Sequence, residues 1–139
     1  MENSKSKIFA QFIAGIFGGT ILGIPSFVNM MNYGGNYGGS YESYGTIGAI
    51  SGVIIGTILT TAIVSNIKIS NYSRVAIWLL LGTFLLPFLY GVIMFWPPFE
   101  DGDLLIVPPV ILIFMLFSTI SSLLITGAIN WRKFLRLKR

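Results

Sequence analysis

The chemistry open to this chain is confined to mild polar groups. Gln11, Thr57, Thr61, Ser118 and Ser122 all lie inside long apolar runs. Amides and hydroxyls in such runs could line a path for water or a small polar solute. The same groups can instead bond across helices or back to their own preceding turn. Interhelical bonds of this kind average only about 0.6 kcal/mol, so packing is the expected role. Their spacing supports that role. Gln11 extends backwards the row of Gly15, Gly19 and Gly23. Thr60 extends forwards the row of Gly48, Gly52 and Gly56, with Thr57 and Thr61 beside it. Ser118, Ser122 and Thr126 form another row at the same spacing. Residues four apart share one side of a helix. In lipid, where tails are as apolar as Leu, small residues so placed let backbones approach and pack.

No catalytic, cofactor-binding or metal-binding set is expected. The sequence has 0 Cys and 0 His, which removes disulfides, thiol and imidazole catalysis and the usual zinc sites. The serines lack a base, since lysine occurs only at the edges of the apolar runs. The glycines between 34 and 39 lack the strand and helix that flank a phosphate loop. The acidic stretch Glu100, Asp101, Gly102 and Asp103 lacks the spaced ligands and final Glu of a calcium loop. No Asp, Glu, Lys or Arg lies within an apolar run, and such a charge is the usual mark of a proton relay or ion pathway. An enzyme is not expected.

The elements that must position these residues are membrane spans. Of 139 residues, 54% are hydrophobic and only 10% charged, against about 25% charged in a soluble domain. Charge-free runs over 8–31, 46–67, 75–96 and 104–129 are each long enough to cross a bilayer, which takes about 20 residues. The first run is too long for a signal-peptide core and has no clear cleavage site, so it reads as a retained span. Pro25 and Pro87 are expected to kink their helices. Pro108 and Pro109 suit a helical first turn. Residues 32–45 contain Asn-Tyr-Gly-Gly twice, with Tyr33, Tyr37, Tyr41 and Tyr44. They read as a flexible outer loop hugging the headgroup layer. A second outer loop covers 97–103 and a basic tail 130–139. The expected architecture is one all-α membrane domain, a four-helix transmembrane bundle.

Charge placement sets the expected orientation. All 9 basic residues fall at one side: Lys5, Lys7, Lys68, Arg74, Arg132, Lys133, Arg136, Lys138 and Arg139. The two outer loops carry Glu42, Glu100, Asp101 and Asp103 and no cation. The positive-inside rule then makes both termini cytoplasmic, with the plasma membrane as the expected location. In the tail, Arg132, Lys133, Arg136, Lys138 and Arg139 alternate with Trp131, Phe134, Leu135 and Leu137. Such a segment should lie on an anionic cytoplasmic leaflet, each cation adding about 1 kcal/mol. Next to a span, nucleic acid is not the expected partner.

These features point to a non-catalytic accessory or scaffolding subunit that packs through small-residue faces, Gly15, Gly19, Gly23, Gly48, Gly52, Gly56, Ser118 and Ser122, against another membrane protein or itself. A small channel or facilitator lined by Gln11, Thr57, Thr61, Ser118 and Ser122 is the alternative from another class. A membrane immunity or stress protein is a third. Within the first hairpin, setting Lys7 level with Lys68 puts Gly19 opposite Gly56, Gly23 opposite Gly52 and Gln11 opposite Val64. The two glycine rows should then meet face to face.

Topology reporters fused after Ser40 and after Gly102 should read outside, and those after Asn71 and Arg139 inside. A cytoplasmic signal after Ser40 would contradict the charge-based orientation.

Overall fold

The protein is all-helical. The computed structural model describes residues 2–36, 41–94 and 107–137. The helices are α1 (Glu2–Asn36), α2 (Tyr41–Asn66), α3 (Tyr72–Met94), α4 (Val107–Ile129) and the short α5 (Trp131–Leu137). The first 4 are long and apolar enough to cross a membrane. The described parts of the four apolar runs lie in α1 to α4, except Ile67, which follows the end of α2. The loop 97–103 lies outside the described residues.

Most of the outer loop expected over 32–45 is helical instead. Helix α1 continues to Asn36 and α2 starts at Tyr41. Glycine disfavours a helix by about 1 kcal/mol, but tertiary contact overrides so weak a preference. A Cβ placed on Gly34 would lie 2.7 Å from the Tyr44 ring, and one on Gly45 would lie 2.9 Å from Phe27. The Tyr33 and Tyr44 rings stand 6.0 Å apart. The glycines thus make room for aromatic rings within the hairpin. The helices also run unbroken through Pro25 and Pro87, although each ring removes one backbone bond. Pro108 and Pro109 do fall in the first turn of α4. Asn71 caps α3, its side-chain oxygen accepting the Arg74 N–H at 3.1 Å.

Helix α1 is the centre of the bundle. It packs most extensively on α2 and also on α4 and α3, while α2 touches α4. It is the most buried span, and α3 is the least. The cause is side-chain size. Ala10, Ala14, Gly15, Gly18, Gly19 and Gly23 keep α1 thin on several sides and are all buried. Helix α3 carries large side chains, with Ile77, Trp78, Leu85 and Leu89 exposed.

The α1–α2 register agrees with the expected one to within a residue, but the rows that meet are different. A Cβ on Gly56 would run into the backbone of Gly18. One on Gly52 would lie 2.7 Å from the Leu22 carbonyl oxygen, and one on Gly48 would lie 2.5 Å from that of Ser26. The α2 glycine row therefore seats on Gly18, Leu22 and Ser26. The α1 row of Gly15, Gly19 and Gly23 turns instead toward α4. There its partners are Ser122, Ser118 and Phe114, with Thr57 and Val53 of α2 at the edge. Each step of four up α1 is matched by a step of four down α4, as antiparallel neighbours require.

Replacing Gly56 or Gly18 by Leu should destabilise the bundle by about 1–3 kcal/mol or more, the usual range for overpacking. Gly127→Leu should be nearly neutral, since nothing lies within 4 Å of its Cβ position. Unfolding in mild detergent would rank them, and equal effects at Gly127 and Gly56 would contradict the backbone contact.

Candidate functional site

Where α1, α2 and α4 meet, a row of buried polar side chains runs through one half of the bundle, beside the apolar cluster that holds Ile13, Ile16 and Val64. Gln11, Thr57, Thr61, Ser118 and Ser122, the residues considered for a pathway, are all buried there. Their bonds run between helices. At the end that carries Lys7 and α5, the Gln11 Nε2 donates to Ser65 Oγ at 2.9 Å. The Gln11 Oε1 accepts from Asn130 Nδ2 at 2.8 Å. One amide thus ties α1 to α2 and to the end of α4. Deeper in, Ser122 Oγ donates to the Phe12 carbonyl at 2.6 Å. Thr57 Oγ1 reaches the Gly15 carbonyl at 3.3 Å while bonding Val53 O at 2.7 Å. Thr20 Oγ1 bonds Ser118 Oγ at 3.3 Å.

The glycines are what bring these groups together. A Cβ on Gly19 would sit 2.5 Å from Ser118 Oγ and 2.8 Å from Thr57 Oγ1. Without a side chain at Gly15 and Gly19, the α2 and α4 hydroxyls lie directly against the α1 backbone. The seam ends at Gly23, where Val53 and Phe114 close over it. Phe114 then meets Phe27 edge-on, with ring centroids 5.8 Å apart. On α4, from Ser118 to Asn130, the seam rises about 18 Å, a little over half of a hydrocarbon core about 30 Å thick. It is a packed junction over half the membrane depth rather than a polar line across it.

Two groups stand out from this network. The hydroxyls of Thr61 and Thr126 are buried without a hydrogen-bond partner. Among the described residues, no Asp, Glu, Lys or Arg is buried.

Asn130, Ser65, Thr20, Thr126 and Gly18 belong to this site and were not among the candidates. Three were signalled by spacing. Ser65 follows Thr57 and Thr61 by four, and Thr126 and Asn130 continue Ser118 and Ser122 by four each. Asn130 lies just past the apolar run, where the sequence predicts the start of the basic tail. It is in fact the corner between α4 and α5. Its carbonyl accepts the N–H of Lys133 at 2.9 Å and of Phe134 at 3.1 Å, while its side chain turns inward. The tail cations Arg132, Lys133 and Arg136 are exposed on α5, and Lys138 and Arg139 lie outside the described residues.

No protein-family model matches this chain, and no curated protein or solved structure gives a match.

The Gln11–Asn130 bond should be measurable by a double-mutant cycle with Gln11→Met and Asn130→Leu. Interhelical bonds in membranes average about 0.6 kcal/mol and reach about 1.7. The coupling should fall in the upper part of that range, because both partners are fully enclosed. A coupling indistinguishable from zero would show that the two amides contribute independently.

Proposed function

We propose that this integral membrane protein works without catalysis, as an accessory or scaffolding subunit that packs against another membrane protein or a second copy. The observation that carries this reading is the closed polar seam. Its amides and most of its hydroxyls bond one another or the backbone, and no ionisable side chain joins them among the described residues. A function performed at the surface fits such an interior. The small-residue rows take part in contacts inside the chain, so the face offered to a partner would be the large apolar one. Helix α3 presents it, with Ile77, Trp78, Leu81 and Leu85 exposed along one side.

In this reading both termini are cytoplasmic and the plasma membrane is the location, as the grouping of all 9 cations supports. Exposed Arg132, Lys133 and Arg136 on α5 then rest on anionic headgroups, an attraction that salt would weaken.

The second reading, a channel or facilitator, draws on one specific observation. The hydroxyls of Thr61, one of the residues expected to line a path, and of Thr126, on the same row as Ser118 and Ser122, are buried without a partner.

The test is purification in mild detergent after cross-linking in the membrane. A stoichiometric partner or a discrete oligomer is expected, and Trp78→Ala with Leu81→Ala should reduce its yield several-fold. Vesicles holding the purified protein should show no faster solute or water flux than empty ones. A monomer without a partner whose flux falls on Thr61→Val would favour the channel.

A further inference from the structure

At the end of the bundle away from the tail, a cavity of about 400 Å³ opens between α1, α3 and α4. Its walls are apolar: Ile24, Val28, Pro87, Val107, Val110 and Ile111. Gly91 adds no side chain, and a Cβ there would lie 2.7 Å from Val107, so α3 and α4 touch at that level. A smaller space of about 130 Å³ adjoins it toward the middle of the bundle, sharing Ile24, Pro87 and Tyr90 and reaching Pro25. Both prolines that lie inside helices thus line this region.

We propose that this cavity seats one acyl chain of a phospholipid from the leaflet opposite the termini. Length is the first argument. On α1 the lining runs from Ile24 to Asn32, a rise of about 12 Å, close to the depth of one leaflet, about half of 30 Å. Polarity is the second. Asn32, exposed at the outer limit of the lining, stands where a glycerol ester or headgroup would lie. Ile24, Pro87 and Ile111 line the end toward the bilayer midplane. The order from polar to apolar is that of a lipid. Protein interiors are close-packed, so an apolar space of this size in contact with lipid fills with what surrounds it. This site does not depend on the accessory role.

Photolabelling tests it. The full chain in phosphatidylcholine vesicles is exposed to a phosphatidylcholine carrying a diazirine in its acyl chain, and labelled peptides are mapped. Val28, Tyr90 and Val110 should be labelled more strongly than Leu123 and Leu124, which face outward. About one labelled lipid per chain should persist through washing with lipid-free detergent. Val110→Trp and Val28→Trp, which fill the cavity, should lower the retained label at least fivefold, while Leu123→Trp leaves it unchanged. If either tryptophan variant fails to fold, the other and the unaltered chain still decide. Labelling of the cavity no stronger than at Leu123, or retained label unaffected by both substitutions, would overturn the proposal. A cavity closed by another part of the chain or by a protein partner would give that result.

Discussion

The backbone contact between Gly18 and Gly56 is the constraint on which the rest of this bundle depends. Between helices in lipid there is no general hydrophobic force, so association rests on close packing and on bonds that close packing permits. The absence of a Cβ at Gly56 admits the Gly18 carbonyl. That contact sets the height of α2 against α1. It places Ser65 within reach of Gln11 and Thr57 within reach of the Gly15 carbonyl. With the hairpin fixed, α1 still has a thin second face, Gly15–Gly19–Gly23, and α4 lays its serines on it. Helix α3 has mostly large side chains; its Gly82 lets the Phe17 ring of α1 approach closely, and its Ala76 packs into the cluster with Ala10, Ile13 and Ala14. It remains the outermost of the four.

Much of this was legible in the sequence, because a bilayer simplifies the problem. Charge-free runs of sufficient length mark the spans, and cations at their ends fix relative heights. That is why levelling Lys7 with Lys68 gives the α1–α2 register to within a residue. The direction of each face was harder to read. Gly18 and Gly19 are neighbours in sequence, about 100° apart around the helix. Small residues therefore cover two faces of α1, and spacing alone does not say which of them meets α2. The glycine-rich stretch after Met31 misled for a different reason. Its composition argues for a loop, but the space left by Gly34 is filled by Tyr44, a contact that only the folded hairpin supplies.

The buried polar groups are confined by depth. One half holds amides and hydroxyls in contact with the α1 backbone, beside an apolar cluster of Ala10, Ile13, Ala14, Ile16, Val64 and Ala76. The other holds Ile24, Val53, Val107, Ile111 and Phe114 and the apolar cavity beside them. The division follows the small residues. Gly15 and Gly19 bring polar groups onto α1, whereas Gly23 meets Val53 and Phe114. The two halves also differ in tightness. Hydroxyls against backbone leave little space, while a cavity opens between α1, α3 and α4 beside Pro87.

The two unpartnered hydroxyls show what the polar seam contributes. A threonine within a helix commonly bonds the carbonyl four residues before it, as Thr57, Thr60, Thr83 and Thr119 do here. Thr61 does not, and the Thr57 carbonyl that it would use receives Thr60 at 3.3 Å. Leaving a buried hydroxyl unpaired costs about 1–3 kcal/mol, whereas a bond between membrane helices gains about 0.6 on average. Two such groups would offset several of the bonds around them, so the seam adds little to net stability. Its effect lies in selection. Gln11 can satisfy its amide on Ser65 and Asn130 only when α1, α2 and α4 stand at one height and one rotation. A helix shifted by a single residue would leave that amide unpaired in a dry interior. Gly18 and Gly56 allow the helices to come close, and Gln11 decides in which arrangement they stay.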